Sequence, residues 1–119
     1  SVEATRIYIR CPDPSSNPYL AFAVMLAAGL DGVEKGLKLA DPVEESLFEM
    51  SAARIAAHGI QELPGTLGDA LETLRQDDVV RAALGEHVYD HFVAAKTEEW
   101  DSYRAQVTNW EIERYLDAF

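Results

Sequence analysis

A single cysteine, Cys11, occurs in 119 residues. An intramolecular disulfide is therefore excluded, and a lone thiol fits a reducing compartment, so a cytoplasmic location is expected. Basic residues are also scarce. Ten Lys and Arg stand against 21 Asp and Glu, a formal net charge of −11. A surface of that sign repels phosphodiester backbones and anionic headgroups, so neither nucleic acid nor membrane is expected as a partner. Long apolar runs are missing too. Residues 19–30 are nearly all apolar, but Asp31, Glu34 and Lys35 end the run, well short of the ~20 residues that a membrane-spanning helix needs. No signal-peptide pattern, internal repeat or low-complexity linker is read in the chain. It begins at Ser1 rather than Met, as expected of a processed chain or a fragment.

What is present is uneven. Residues 1–40 carry four basic and four acidic side chains, whereas residues 41–119 carry six and 17, and so hold the whole net charge. Near the amino terminus, "TRIYIR" over 5–10 alternates and is rich in β-branched and aromatic types, the pattern of a strand. Period two sets Ile7 and Ile9 on one face and Arg6, Tyr8 and Arg10 on the other. Pro12 and Pro14 end it. Asn17 and Pro18 then suit the start of a helix over about 18–37, apolar on several sides from Tyr19 to Leu30. Residues 38–65 read as an irregular connection with one short helical turn near 51–57. Helices are expected over 67–75 behind a Thr66 cap, from Asp77 or Asp78 to Gly85, and over 86–106 with Val88, Phe92, Ala95, Trp100 and Tyr103 as its apolar stripe. A last helix follows Thr108, with Glu111 three residues on as in a capping box. The fold class expected is thus α+β and mostly helical: one N-terminal strand followed by about five helices. That strand has no visible partner, because no second alternating run follows it. It must pair with another copy or with a sheet from further sequence. A fragment of a larger unit or an obligate oligomer is implied.

Here the residues become recognisable. "CPDPSSNPYLAFAVMLAAGLDGVEKG" resembles the segment of glutamine synthetases that follows their last active-site strand, with its Arg-x-Glu-x-Arg, Pro-Asp and Asn-Pro-Tyr-Leu pattern. "ELPGTLGDALETL", "ALGEHVYDHFVAAKTEEWDSYRAQVT" and "WEIERYL" resemble the rest of that family's C-terminus, in order and at matching spacing. The likeness covers essentially the whole chain, in the style of the prokaryotic type I enzymes. It implies that residues 1–119 are the C-terminal portion of a catalytic domain. The implied reaction is ATP-dependent: L-glutamate is phosphorylated on its γ-carboxylate, and ammonia displaces the phosphate. ATP and Mg²⁺ or Mn²⁺ are the implied cofactors of the intact enzyme, with none expected for this chain alone. The implied assembly is a homo-oligomer, a dodecamer in the family, in which the C-terminal helix reaches into a neighbouring subunit, an interface role that Tyr115–Phe119 fits.

Carried onto this chain, the family's pattern assigns Arg10 to the substrate and the transferred phosphate, as a catalytic and substrate-binding residue. It assigns Arg6 to the ATP phosphates. A planar guanidinium with a fixed donor fork suits both roles. Two departures accompany the match. The family's metal-ligating Glu between the arginines is Tyr8 here, a poor Mg²⁺ ligand, so no metal ligand is assigned. The tyrosine that some type I enzymes adenylylate is Phe48 here, which has no hydroxyl, so no modification site is assigned. The plainer reading of Arg6 and Arg10 is a solvated face. His87 and His91 sit at i, i+4 with Asp90 between them, a spacing that can hold a metal, but no third ligand is evident and they read as surface histidines. His58 reads as a loop histidine and Cys11 as structural. The alternative to an enzyme is a non-catalytic, truncated paralogue or isolated domain that serves as a helical assembly module.

Overall fold

The computed structural model describes Ala4 and residues 6–116. Five α-helices follow one another: α1 (Pro18–Glu34), α2 (Ala52–Ala57), α3 (Leu67–Arg75), α4 (Asp78–Arg104) and α5 (Asn109–Tyr115), with a 3₁₀ turn at Leu47–Glu49 between α1 and α2. Each α-helix starts at a residue whose side chain accepts a backbone N–H of the first turn: Asn17, Ser51, Thr66, Asp77 and Thr108. These caps satisfy donors that the helix itself leaves unpaired. At α1 the Asn17 carboxamide accepts from Tyr19 and Leu20 at 3.0 and 3.3 Å, and Pro18 occupies a position where no N–H is required. Lys35 caps the other end, and Gly36 follows at φ 60. The helix expected to reach residue 37 therefore stops at Glu34.

The expected N-terminal strand is not found. Residues 6–11 have no regular secondary structure, and among the described residues there is no strand and no sheet; Thr5 lies outside them. The fold of the described chain is all-α, not α+β. The physical reason lies in pairing. Alternation supplies two faces, but a strand exists only when a neighbour takes its N–H and C=O groups. No second alternating run is present, and Ile7, Tyr8 and Ile9 are left exposed.

Packing centres on α4, which meets both α1 and α3. Among the described residues only Leu71 of α3 and Tyr89 of α4 are buried. The Tyr89 hydroxyl donates to the Leu74 carbonyl at 3.4 Å, and the Arg81 guanidinium lies 5.2 Å from the centre of its ring. Leu74, Val80, Leu84, Phe92, Val93 and Trp100 are half-buried around that pair. The face of α4 that packs is thus Tyr89, Phe92, Val93, Lys96 and Trp100. It is turned from the expected Val88, Phe92, Ala95, Trp100 and Tyr103 stripe, of which Tyr103 is 68% exposed. Both sets obey helical spacing; only the position of α3 distinguishes them.

Within α4 the backbone breaks at Gly85, with φ 72 and ψ 153. This is a region essentially reserved for glycine, so two helical segments meet at an angle where the sequence had placed a helix end.

On α1, Leu20, Ala21, Val24, Met25 and Ala27 are partly covered, whereas Tyr19, Phe22, Leu26, Leu30 and Val33 stay more than half exposed. Those five recur at spacings of three and four, so they form one continuous apolar stripe. The Cα radius of gyration is 19.0 Å and the extents are 64 × 42 × 27 Å. A compact chain of this length would have a radius of about 13–14 Å. The molecule is elongated, with apolar surface that its own helices do not cover.

Candidate functional site

The arginine segment lies directly before α1. Asp13 accepts from the Ser15 amide at 2.8 Å and from the Ser15 hydroxyl, and the Ser16 amide donates to the Asp13 carbonyl at 2.9 Å. The resulting turn runs into the Asn17 cap and connects residues 6–11 to the start of the helix. The Ser15 hydroxyl, followed by the Ser15 amide, holds the Asp13 carboxyl below its ordinary value. These bonds favour its charged form.

Arg6, Tyr8 and Arg10 are all exposed. Arg6 Nη1 donates to the Tyr8 hydroxyl at 3.4 Å. That contact brings the two together at the long limit of hydrogen bonding. Among the described residues, neither arginine makes an ion pair with a carboxylate. Arg10 has no hydrogen bond to Arg6 or Tyr8 and is linked to them by the chain alone. Both guanidinium forks therefore keep donors directed to solvent, the condition for meeting an anionic oxygen. Tyr8 provides a neutral phenol between them.

Phe48 sits fully exposed on the 3₁₀ turn. Its loop is tied at the base by Arg54 of α2, whose Nη2 donates to both Glu45 carboxylate oxygens at 2.9 and 2.8 Å. Cys11 is exposed and unpaired. His87 and His91 lie on the exposed side of α4, and among the described residues no three His, Cys, Asp or Glu side chains converge on a common point. No described helix is long and apolar enough to cross a membrane.

A cleft of about 440 Å³ that sequence reasoning missed opens where the amino end of α3 rests on α4. It is lined by Gly65, Thr66, Leu67, Glu99, Trp100 and Tyr103. The sequence signal for it is Gly68, which lies against the Trp100 ring where no Cβ would fit. Two of the cleft's polar groups are already engaged: the Thr66 hydroxyl with Asp69 at 2.7 Å, and Glu99 with Lys96.

The described residues thus present two exposed arginines before a capped, partly covered apolar helix. Comparison with known proteins matches residues 1–115 to the family model described as glutamine synthetase, catalytic domain. A glutamine synthetase of Thermus thermophilus is 54% identical over 97% of this chain, and one of Methanococcus maripaludis is 50% identical over 96%. One from Staphylococcus aureus is 45% identical over 98%. In each case the match spans 26% of the relative's own length, so the chain covers about a quarter of these proteins. A family model matched across 115 of 119 residues, together with half-identical relatives along the same stretch, establishes that the chain belongs to the glutamine synthetase catalytic-domain family.

Proposed function

We propose that residues 1–119 are the C-terminal portion of a glutamine synthetase catalytic domain and that they supply two anion-binding arginines to an ATP-dependent ligase. In this reaction the glutamate γ-carboxylate oxygen attacks the γ-phosphorus of ATP and ADP leaves. Ammonia then attacks the acyl carbon of γ-glutamyl phosphate and inorganic phosphate leaves. Negative charge accumulates on the transferring phosphoryl oxygens in the first step and on the acyl oxygen in the second. Fixed cationic donors stabilise such charge more in the transition state than in the ground state. Arg10 takes the substrate and transferred phosphate, and Arg6 the ATP phosphates.

The observation that carries the reading is the 54% identity over nearly the whole chain. Exposed guanidinium groups with no carboxylate partner among the described residues support it. Mg²⁺ or Mn²⁺ does not fit the residues in hand. Among the described residues no trio of ligating side chains converges, and the position between the arginines is a phenol rather than a carboxylate. By the same reading the protein is cytoplasmic and a homo-oligomer, a dodecamer as in the family. It is not switched by adenylylation, because Phe48 has no hydroxyl to accept the group.

The test is a chimera in which these residues replace the matching quarter of the Thermus thermophilus enzyme. The expected result is weak γ-glutamyl transfer with Tyr8, recovery with Tyr8→Glu, and loss of that recovery on adding Arg10→Ala. Full activity with Tyr8 that survives Arg10→Ala would overturn the assignment of both positions.

A second reading, a helical assembly module without catalysis, is favoured by one observation: the exposed apolar stripe on α1. A chimera that assembles but stays inactive even with Tyr8→Glu would support it.

A further inference from the structure

We infer that His87 and His91 form a surface chelate for an imidazole-preferring divalent transition ion, Cu²⁺ foremost. The two residues stand one helical turn apart on α4, just after the Gly85 break, and both are exposed. Their ring centroids are 4.3 Å apart with 44° between the ring planes, so the imidazoles already lie side by side. His91 Nδ1 is 2.8 Å from the His87 carbonyl oxygen. A carbonyl oxygen only accepts, so Nδ1 carries the hydrogen and the lone pair of the neutral ring resides on Nε2. Metal-bound histidines are held in this manner, one ring nitrogen donating to a backbone carbonyl while the other is turned to the ion.

Two histidines at i, i+4 on a helix are spaced to share one ion. Among the described residues no third His, Cys, Asp or Glu closes on the pair, so water completes the coordination. That incompleteness selects the ion. Mg²⁺ and Ca²⁺ need oxygen ligands that the pair lacks. An open bis-imidazole site also imposes no geometry that would override intrinsic preference, which places Cu²⁺ above Ni²⁺ and Zn²⁺. Arg81 reaches the Glu86 carboxylate at 3.7 Å and offsets one of the two acids that neighbour the histidines in sequence; Asp90 is the other.

The experiment titrates the chain with CuCl₂ in a buffer that does not bind metal, followed by calorimetry and electron paramagnetic resonance. Cys11→Ser is used as background, so that the exposed thiol neither ligates nor reduces the ion. One Cu²⁺ per chain with nitrogen hyperfine structure is expected, and MgCl₂ should give no heat. His87→Ala or His91→Ala should each weaken binding by at least about tenfold, because one imidazole loses the gain of a linked second. His58→Ala should leave it unchanged. Paramagnetic broadening of amide signals in the background chain gives a measurement that does not depend on how the histidine variants fold, and should centre on residues 86–92. Broadening centred on the amino terminus or on His58, or unchanged affinity in both α4 variants, would overturn the assignment.

Discussion

Gly68 on α3 lies directly against Trp100 on α4: a Cβ at residue 68 would fall 2.8 Å from both Cε2 and Nε1 of the indole. The missing side chain is what lets the two helices approach at this end of their contact.

Gly68→Ala is therefore expected to destabilise the chain. Alanine gains up to about 1 kcal/mol of helix propensity over glycine, but overpacking a closed contact costs typically 1–3 kcal/mol. A net loss of roughly 1 kcal/mol in urea denaturation is expected. Gly29→Ala on α1, where nothing lies within 4 Å, keeps the propensity gain alone and should raise the midpoint. Equal effects at the two sites would show that the Trp100 contact does not constrain α3.

At Gly85 the constraint is backbone conformation rather than space. Nothing lies within 4 Å of an added Cβ, yet φ is 72 and ψ 153. A side chain held in that region costs about 1–3 kcal/mol. Gly85→Ala should lower the melting temperature or straighten α4 into one continuous helix. The second outcome would appear as increased helicity in circular dichroism, with altered packing at Tyr89.

The α5 cap carries a pH dependence. Glu111 accepts from the Thr108 amide at 2.7 Å and from its hydroxyl at 2.8 Å. The amide first and the hydroxyl second hold its carboxyl below its ordinary 4.5. A carboxylate depressed in the folded state contributes stability that is present above its unfolded value and is lost as pH falls through the folded one. Residues 109–115 should therefore fray below about pH 4.5, seen as faster amide exchange there. Glu111→Gln should remove the acid dependence of that segment, and Thr108→Ala should fray it at all pH values.

The stripe Tyr19, Phe22, Leu26, Leu30 and Val33 is expected to drive self-association of the isolated chain. Apolar area removed from water contributes about 25 cal/mol per Å². The acidic excess lies wholly beyond residue 40, and at 0.15 M salt charges farther than ~8 Å are largely screened. Sedimentation equilibrium at tens of micromolar should show a mass above 13.2 kDa, and Leu26→Lys should lower it. A clean monomer with a sharp cooperative melt would mean that the stripe does not mediate association.

Helices were legible in the sequence because their signals are local. Asn17, Thr66 and Asp77 cap where short polar side chains precede apolar runs, and the break at Gly85 follows from its lack of a Cβ. The Thr108–Glu111 box reads directly from four residues. What the sequence misled about was non-local. Ile7 and Ile9 alternate as a strand does, but a strand also requires a neighbour, and among the described residues none is paired with them. The packing face of α4 was misplaced because Val88 and Tyr89 differ only by which of them faces α3. The arginines were legible as a resemblance rather than as geometry: among the described residues Arg6 hydrogen-bonds to Tyr8 alone, and Arg10 stands apart.

The elongated shape bears on how this chain behaves in flow. A particle of 64 × 42 × 27 Å meets more drag than a sphere of the same mass. It should leave a gel-filtration column early, at the volume of a larger globular protein, even as a single chain. Diffusion and elution would therefore overstate its mass, whereas equilibrium sedimentation and light scattering, which do not depend on friction, would separate one extended chain from two that have joined along α1.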